Sequence, residues 1–420
     1  MGWPRVIVAM WLTAATPVYG HAQPSSTIAT IQVQGNVLTS EEEIVGLSGV
    51  SVGSSFDDST LESVASRLRG SERFQRVEVL KRFASIADPS QIALVIIVDE
   101  GPVVIERVGG ADGTARLVRS GAMRLLFLPI LRFEDGYGFT YGLRLARPDV
   151  LGSRTHLSVP LTWGGERRAA VQLEKRVQAG LIQRVEVSGG VSHRTNPFYE
   201  LGDTRSGFSV RSDLRALGPA RADVDAGWDR VTFGGQPDGV GRLGAGVTID
   251  TRLDPMLARN AVFLRIALAH VDTRHGPAFN TSDIDASGYL GLIGQTVLVA
   301  RVFRDDASRS RPPYLRPMLG GPDNLRGFRA GSAIGDSLAG GSLEVRAPVT
   351  SPLNVAKLGV SLFVDAATVY DEGQRFADQR FERGVGGGIW LSATVVRLTL
   401  SVARGIGHGT RFNASSSLVF

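Results

Sequence analysis

The 420-residue chain contains no cysteine, which removes disulfide frameworks and thiolate metal sites from consideration. That absence suits a compartment in which free thiols are a liability. Lysine is nearly missing too: Lys81, Lys175 and Lys357 are the only three, so the net charge of +5 comes from arginine. The arginines are dispersed along alternating segments, with no basic helix and no aromatic stacking platform, and this pattern argues against a nucleic-acid partner. After the first two dozen residues no run stays apolar for the roughly 18 residues that a membrane helix needs. A bilayer-spanning form of this chain is therefore a closed barrel, the other architecture that satisfies every backbone group in lipid.

Catalytic chemistry is also scarce. His21, His156, His193, His270, His275 and His408 show no metal-ligand spacing. His270 and His275 flank a loop and read as solvated; a hydrolase using them with Ser282 or Ser287 would lack a nucleophile elbow. Asp99-Glu100 and Asp371-Glu372 are turn carboxylates without an acid–base partner. The glycine run Gly384-Val385-Gly386-Gly387-Gly388 lacks the Lys-Ser/Thr and the helix of a phosphate loop, and reads as a tightly packed or bent strand. No enzyme activity, cofactor or metal is expected.

What is present divides the chain in three. Residues 1–22 read as a secretory signal, with Arg5, an apolar Val6–Ala15 stretch and the small-x-small site Gly20-His21-Ala22. Residues 27–102 read as a compact α+β unit in the order β-α-α-β-β. An alternating strand stops at Gly35-Asn36, Ser40 to Glu43 form a capping box, and Asp57 or Asp58 caps a second helix. Strands over Phe74–Phe83 and Gln91–Asp99 close the unit. From 103 to 420 only strands and turns follow, with the first barrel strand expected near Leu125–Ile130. In 155–163, Leu157, Val159, Leu161 and Trp163 share one face, and His156, Ser158 and Thr162 share the other. Ala222, Val224, Ala226 and Trp228 alternate with Asp223, Asp225 and Asp229, and Val396 to Val402 repeat the pattern. One face suits lipid and the other water. At roughly 20 residues per strand and turn, about 16 strands fit. Phe412, Leu418 and Phe420 lie on one face of the final strand.

The chain is organised around Gly320-Gly321-Pro322-Asp323-Asn324-Leu325-Arg326-Gly327-Phe328, a loop by composition that ends on a large cation and an aromatic. Two strand-like segments follow. Period two puts Glu344 on the polar face of 341–348 and Asp365 on that of 360–366, with Leu343, Val345, Leu362 and Val364 turned the other way. Arginine is common in this chain, and Arg326 gains meaning from these two carboxylates, which a planar guanidinium can engage together.

Leu325-Arg326-Gly327-Phe328 resembles the Val/Leu-Arg-Gly-Phe/Tyr signature of the loop that plugs barrels of the BamA/TamA superfamily, the bacterial surface antigen family. Ser342-Leu343-Glu344 through Pro348 and Phe363-Val364-Asp365 resemble the strand motifs that receive that arginine. The α+β unit resembles a single POTRA domain. Tyr141-Gly142-Leu143-Arg144 with Pro148 to Arg154 resembles an early hairpin of the superfamily. Asp250-Thr251-Arg252-Leu253-Asp254-Pro255 with Arg259 resembles another of its segments, with Asn260 where glycine is usual.

The resemblance implies a periplasmic POTRA domain followed by a transmembrane antiparallel β-barrel of about 16 strands in the bacterial outer membrane, with a plug loop near 317–336. It implies that Arg326 binds Glu344 and Asp365, and that the terminal Phe420 is an insertion signal. It also implies insertion or export of client polypeptides, with outer-membrane lipids, clients and periplasmic chaperones or lipoproteins as partners. A passive pore or secretion channel is the alternative.

Overall fold

The computed structural model describes residues 26–418 apart from 37, 75, 86–87, 89, 101–102, 109–113, 120–125, 153, 178–179, 216, 253–257, 351–355 and 394–395. The expected signal at 1–22, Asp254-Pro255 and Phe420 lie outside the described residues.

The N-terminal unit runs β1 Ser26–Gln34, α1 Glu41–Ser48, β2 Ser55–Phe56, α2 Asp58–Gly70, β3 Arg76–Phe83 and β4 Gln91–Asp99. The two-residue β2 is an addition to the expected order; it borders β1 in a sheet ordered β2-β1-β4-β3. Strands β1 and β4 pair in parallel, and β3 and β4 antiparallel. Ile28, Ile44, Val64, Leu68, Ile92 and Leu94 are fully buried between helices and sheet. Asp57 is the cap of α2, and its carboxylate accepts the Thr60 N–H at 2.9 Å. The Ser40 hydroxyl caps α1 through Glu43 N–H at 3.3 Å, whereas the Glu43 carboxylate pairs with Arg73 instead of closing the expected box. An unanticipated hairpin, β5 Val103–Val108 with β6 Thr114–Arg119, follows as its own two-stranded sheet.

Sixteen strands then form one antiparallel sheet. The first eight are β7 Leu126–Glu134, β8 Gly138–Pro148, β9 Thr155–Gly164, β10 Glu166–Arg176, β11 Ile182–Thr195, β12 Gly202–Leu214, β13 Ala220–Phe233 and β14 Gln236–Asp250. Next come β15 Ala261–Thr273, β16 Phe279–Gly291 and β17 Val297–Ala307. Between β17 and the next wall strand the chain folds inward through the short pair β18 Met318–Leu319 and β19 Ala333–Ile334. The wall resumes with β20 Ser337–Thr350, β21 Ala356–Tyr370, β22 Glu382–Ala393, β23 Val396–Gly405 and β24 Thr410–Leu418. Neighbours in sequence pair throughout, β17 with β20 included. The end strands β7 and β24 lie beside each other, but no backbone ladder joins them among the described residues.

Outward residues are apolar and uncovered: Leu343 is 51% exposed and Leu362 71%. Inward neighbours such as Asp223, Ser361, Asp365 and Ser401 are buried. A soluble sandwich would turn its polar face outward, so this inversion matches a wall set in lipid. Among the described residues no helix is long and apolar enough to cross a membrane. The N-terminal unit precedes β7 and marks one end of the barrel. The long inward segment, 308–336, leaves from the opposite end.

Candidate functional site

Arg326 sits at the tip of the inward segment, where three wall side chains converge on it. Its Nε donates to Asp365 Oδ2 at 2.7 Å, and one Nη donates to Asp365 Oδ1 at 2.6 Å and to the Ser342 hydroxyl at 3.0 Å. The other Nη donates to Glu344 Oε2 at 2.8 Å. The Arg326 N–H adds a bond to Asp365 Oδ2 at 3.0 Å, and the guanidinium carbon lies 3.3 Å from the Phe363 ring centre. The second oxygen of Glu344 accepts Nε of Arg346 at 2.9 Å. Asp365 and Ser342 are cross-strand partners on β21 and β20, and Glu344 faces Phe363 two pairs further along. Register alone thus assembles the receptor. Burial works against the charge on Arg326, but the bonds and charges of Asp365 and Glu344 outweigh it and hold the guanidinium more firmly protonated than usual.

The residues beside Arg326 fix its approach. Leu325 is fully buried and Phe328 nearly so, packed with Leu319 and Ala367. Gly327 has φ +95°, and a Cβ there would stand 2.7 Å from Gly405 N, so both the turn and the close approach need glycine. The glycine-rich stretch lies in β22, and its first member has a specific use: a Cβ on Gly384 would stand 2.0 Å from the Arg326 carbonyl oxygen. Phe328 meets His408 of the β23–β24 turn, ring centres 4.7 Å apart. On the other side, Ala330 N–H donates to Asp135 Oδ2 at 2.8 Å in the β7–β8 turn. Residues 326–330 therefore touch the hairpins on both sides of the unpaired β7–β24 junction. Asn324 braces the loop internally, accepting from Gly320 N–H at 2.8 Å and donating to Met318 O at 3.0 Å.

The inward segment is longer than expected. Arg304–Ala307 belong to β17, and 308–316, ahead of the expected start near 317, form its first part. Asp336, almost fully buried, accepts from Arg311 N–H at 2.7 Å, the Ser310 hydroxyl at 3.1 Å and Glu372 N–H at 3.0 Å. Tyr314 donates its hydroxyl to Asp238 Oδ2 at 2.6 Å, while its carbonyl accepts from Arg205 at 2.8 Å. Burial, aided by Asp238, raises the Tyr314 phenol above the ordinary tyrosine range. These anchors escaped sequence reading because each joins residues tens of positions apart. Arg301 adds one more, donating to the Asp323 carbonyl at 2.7 Å. Beneath the tip lies a cavity of about 330 Å³ lined by Arg252, Tyr289, Arg301, Arg346, Trp390 and Asn413 among others. That is room for roughly ten waters, not for a folded client.

The remaining sequence-derived positions lie apart from this cluster. Phe412 is 82% exposed on the outward face of β24, and Leu418 ends that strand. Asn260 adopts φ 50°, a left-handed conformation that asparagine tolerates better than most residues. Among the described residues no cluster of His, Cys, Asp or Glu could hold a metal ion.

Comparison with known proteins gives two family matches. Residues 131–413 match the Omp85 superfamily domain, and residues 26–101 match POTRA, the surface antigen variable number repeat. By sequence, no curated protein matches. Among solved structures, the chain is similar to BamA from Haemophilus ducreyi lacking POTRA domains 1–3. The TM-score is 0.61 at 15% identity, covering 95% of this chain and 85% of that one. It is also similar to CdiB from Escherichia coli, with a TM-score of 0.52 at 13% identity, covering 97% and 93%. At these identities the likeness speaks for the fold.

Proposed function

The chain belongs to the Omp85 superfamily, and from that premise we propose that it inserts client polypeptides into the outer membrane, or exports them across it, through its barrel seam. It is a bacterial outer-membrane protein with one POTRA domain in the periplasm. The observation that carries the proposal is the β7–β24 junction: among the described residues every other neighbouring pair in the wall is laddered, and this pair is not. Two strand edges that already lack partners are the least costly place to admit a client strand, which would regain backbone bonds and leave sideways into lipid. The POTRA sheet ends on β3, an edge on which a client could pair before reaching the barrel. Periplasmic chaperones or lipoproteins would deliver such clients. In this role the chain is not an enzyme and needs no cofactor.

The plug supports the same mechanism. Arg326 fastens residues 325–328 to β20 and β21, while Phe328 and Ala330 reach the hairpins that flank the seam. Release of that contact would free the outer end of the seam. A segment anchored at so many places also argues against a passive pore.

The test is the outer-membrane proteome after depletion of the protein, complemented with wild type or with Arg326→Ala. Loss of specific barrels or surface proteins, restored by wild type only, is the expected result. An unchanged membrane proteome with altered small-solute permeability would overturn the proposal in favour of a channel.

A further inference from the structure

The outward face of the barrel is apolar along most of its periplasmic edge. Ile249, Leu264, Leu290, Leu298, Val349 and Leu358 hold the strand-end positions there. Strands β8 and β10 break the pattern. Arg147 continues the outward row of Tyr141, Leu143 and Leu145 on β8, and Lys175 continues that of Val171 and Leu173 on β10. The ladders run in continuous register. Arg147 stands opposite Leu157 of β9, Leu157 opposite Leu173, and Lys175 opposite Thr155. Two cations therefore flank β9 diagonally, two strand spacings or about 10 Å apart across the sheet and two residues apart along it.

A charge on the lipid face is costly near the membrane centre and tolerated at the interface, where long side chains reach the headgroups. Neither side chain has a carboxylate partner among the described residues, and Arg147 Nε is buried with no acceptor. Asp149, close by, is engaged by the Arg154 N–H at 2.6 Å. An unanswered guanidinium donor beside an exposed ammonium calls for an oxyanion, and an apolar wall directly adjoining it calls for hydrocarbon. One molecule supplies both.

We propose that Arg147 and Lys175 form a headgroup site for an anionic phospholipid of the inner leaflet. The phosphate lies between the two cations, and the acyl chains lie along Leu145, Leu157 and Leu173. Arginine offers a planar fork to phosphate oxygens and lysine a point charge. Because β8 neighbours the seam strand β7, the bound lipid stands next to the junction.

The full-length protein, purified in detergent and supplied with equal phosphatidylglycerol and phosphatidylcholine, is examined by native mass spectrometry. Wild type is expected to retain phosphatidylglycerol with roughly tenfold preference or more. The pair Arg147→Gln with Lys175→Gln should abolish that preference while the barrel still migrates as folded on heat-modifiability gels. If the pair fails to fold, Lys175→Gln alone should weaken the preference several-fold, and Arg147→Lys should retain most of it. Equal retention of both lipids by wild type, preference persisting in a folded neutralised variant, or a protein or second copy of the chain bound in place of lipid would each overturn the proposal.

Discussion

Replacing Arg326 by alanine removes four side-chain hydrogen bonds and a ring contact from a site in which the Arg326 and Asp365 side chains are only 13% and 3% exposed. The two carboxylates do not suffer equally. Glu344 keeps Arg346 at 2.9 Å, whereas among the described residues Asp365 keeps only the backbone N–H of residue 326. Breaking a buried pair from one side costs about 3–5 kcal/mol, nearly all of it from the charge left behind. With Glu344 still paired, the low end applies, about 3 kcal/mol, which raises the population of the detached loop on the order of a hundredfold. Hydrogen exchange on the folded barrel reads this directly. Amides of 325–331 should exchange about a hundred times faster, while those of β11–β14 stay unchanged. Arg326→Lys should recover only part of the protection, because one ammonium cannot engage both carboxylates in a planar fork. Unchanged exchange in 325–331, or equal behaviour of the alanine and lysine variants, would refute the account of Arg326 as the fastening of the loop.

Gly384→Ala should release the same segment without touching a charge, since its Cβ would collide with the Arg326 carbonyl oxygen at 2.0 Å. The control is Gly387→Ala, whose Cβ meets the Leu362 side chain at 3.0 Å and should leave exchange at 325–331 unaltered. Asp135→Ala removes the acceptor of Ala330 N–H, so exchange should quicken at 330 by roughly five- to tenfold, the worth of one hydrogen bond, with little change at 325–328. In the POTRA domain, hydrogen bonds from the Ser59 and Thr60 side chains hold the Asp57 carboxyl below its ordinary value of 3.8. A lowered folded value means that the cap stabilises α2 above that pH and loses its effect as pH falls below it. Protection of the Thr60 amide, corrected for intrinsic rates, should therefore drop between pH 5 and pH 2. Equal protection across that range would exclude the titration.

Much of the architecture was legible from period and composition. Alternation is local: a side chain's face follows from its place in the strand, so the outward rows ending at Trp163, Trp228 and Val402 could be assigned before any strand had a neighbour. The strand number followed from length. Arg326, Glu344 and Asp365 could be associated because period two put both carboxylates on the polar faces of their strands and the loop motif resembles a family signature whose arginine is received by such strands.

The rest depended on register and on contacts between distant residues. The strand β2 is two residues long and exists only because β1 lies beside it. Glu43 chose Arg73, thirty positions away, over its own helix end. The inward segment begins at 308 because Asp336, Asp238 and Arg205 bind its first part, and none of them is near it in sequence except Asp336 across the loop itself. The sequence by itself determined the barrel, its two faces and the motif that enters it, because those properties repeat along one strand or reside in one loop. Which glycine admits the Arg326 carbonyl, which hairpins the loop touches, and which strand pair stays unladdered were decided by tertiary structure, because each is a relation between residues that only closure of the sheet brings within a few ångströms of one another.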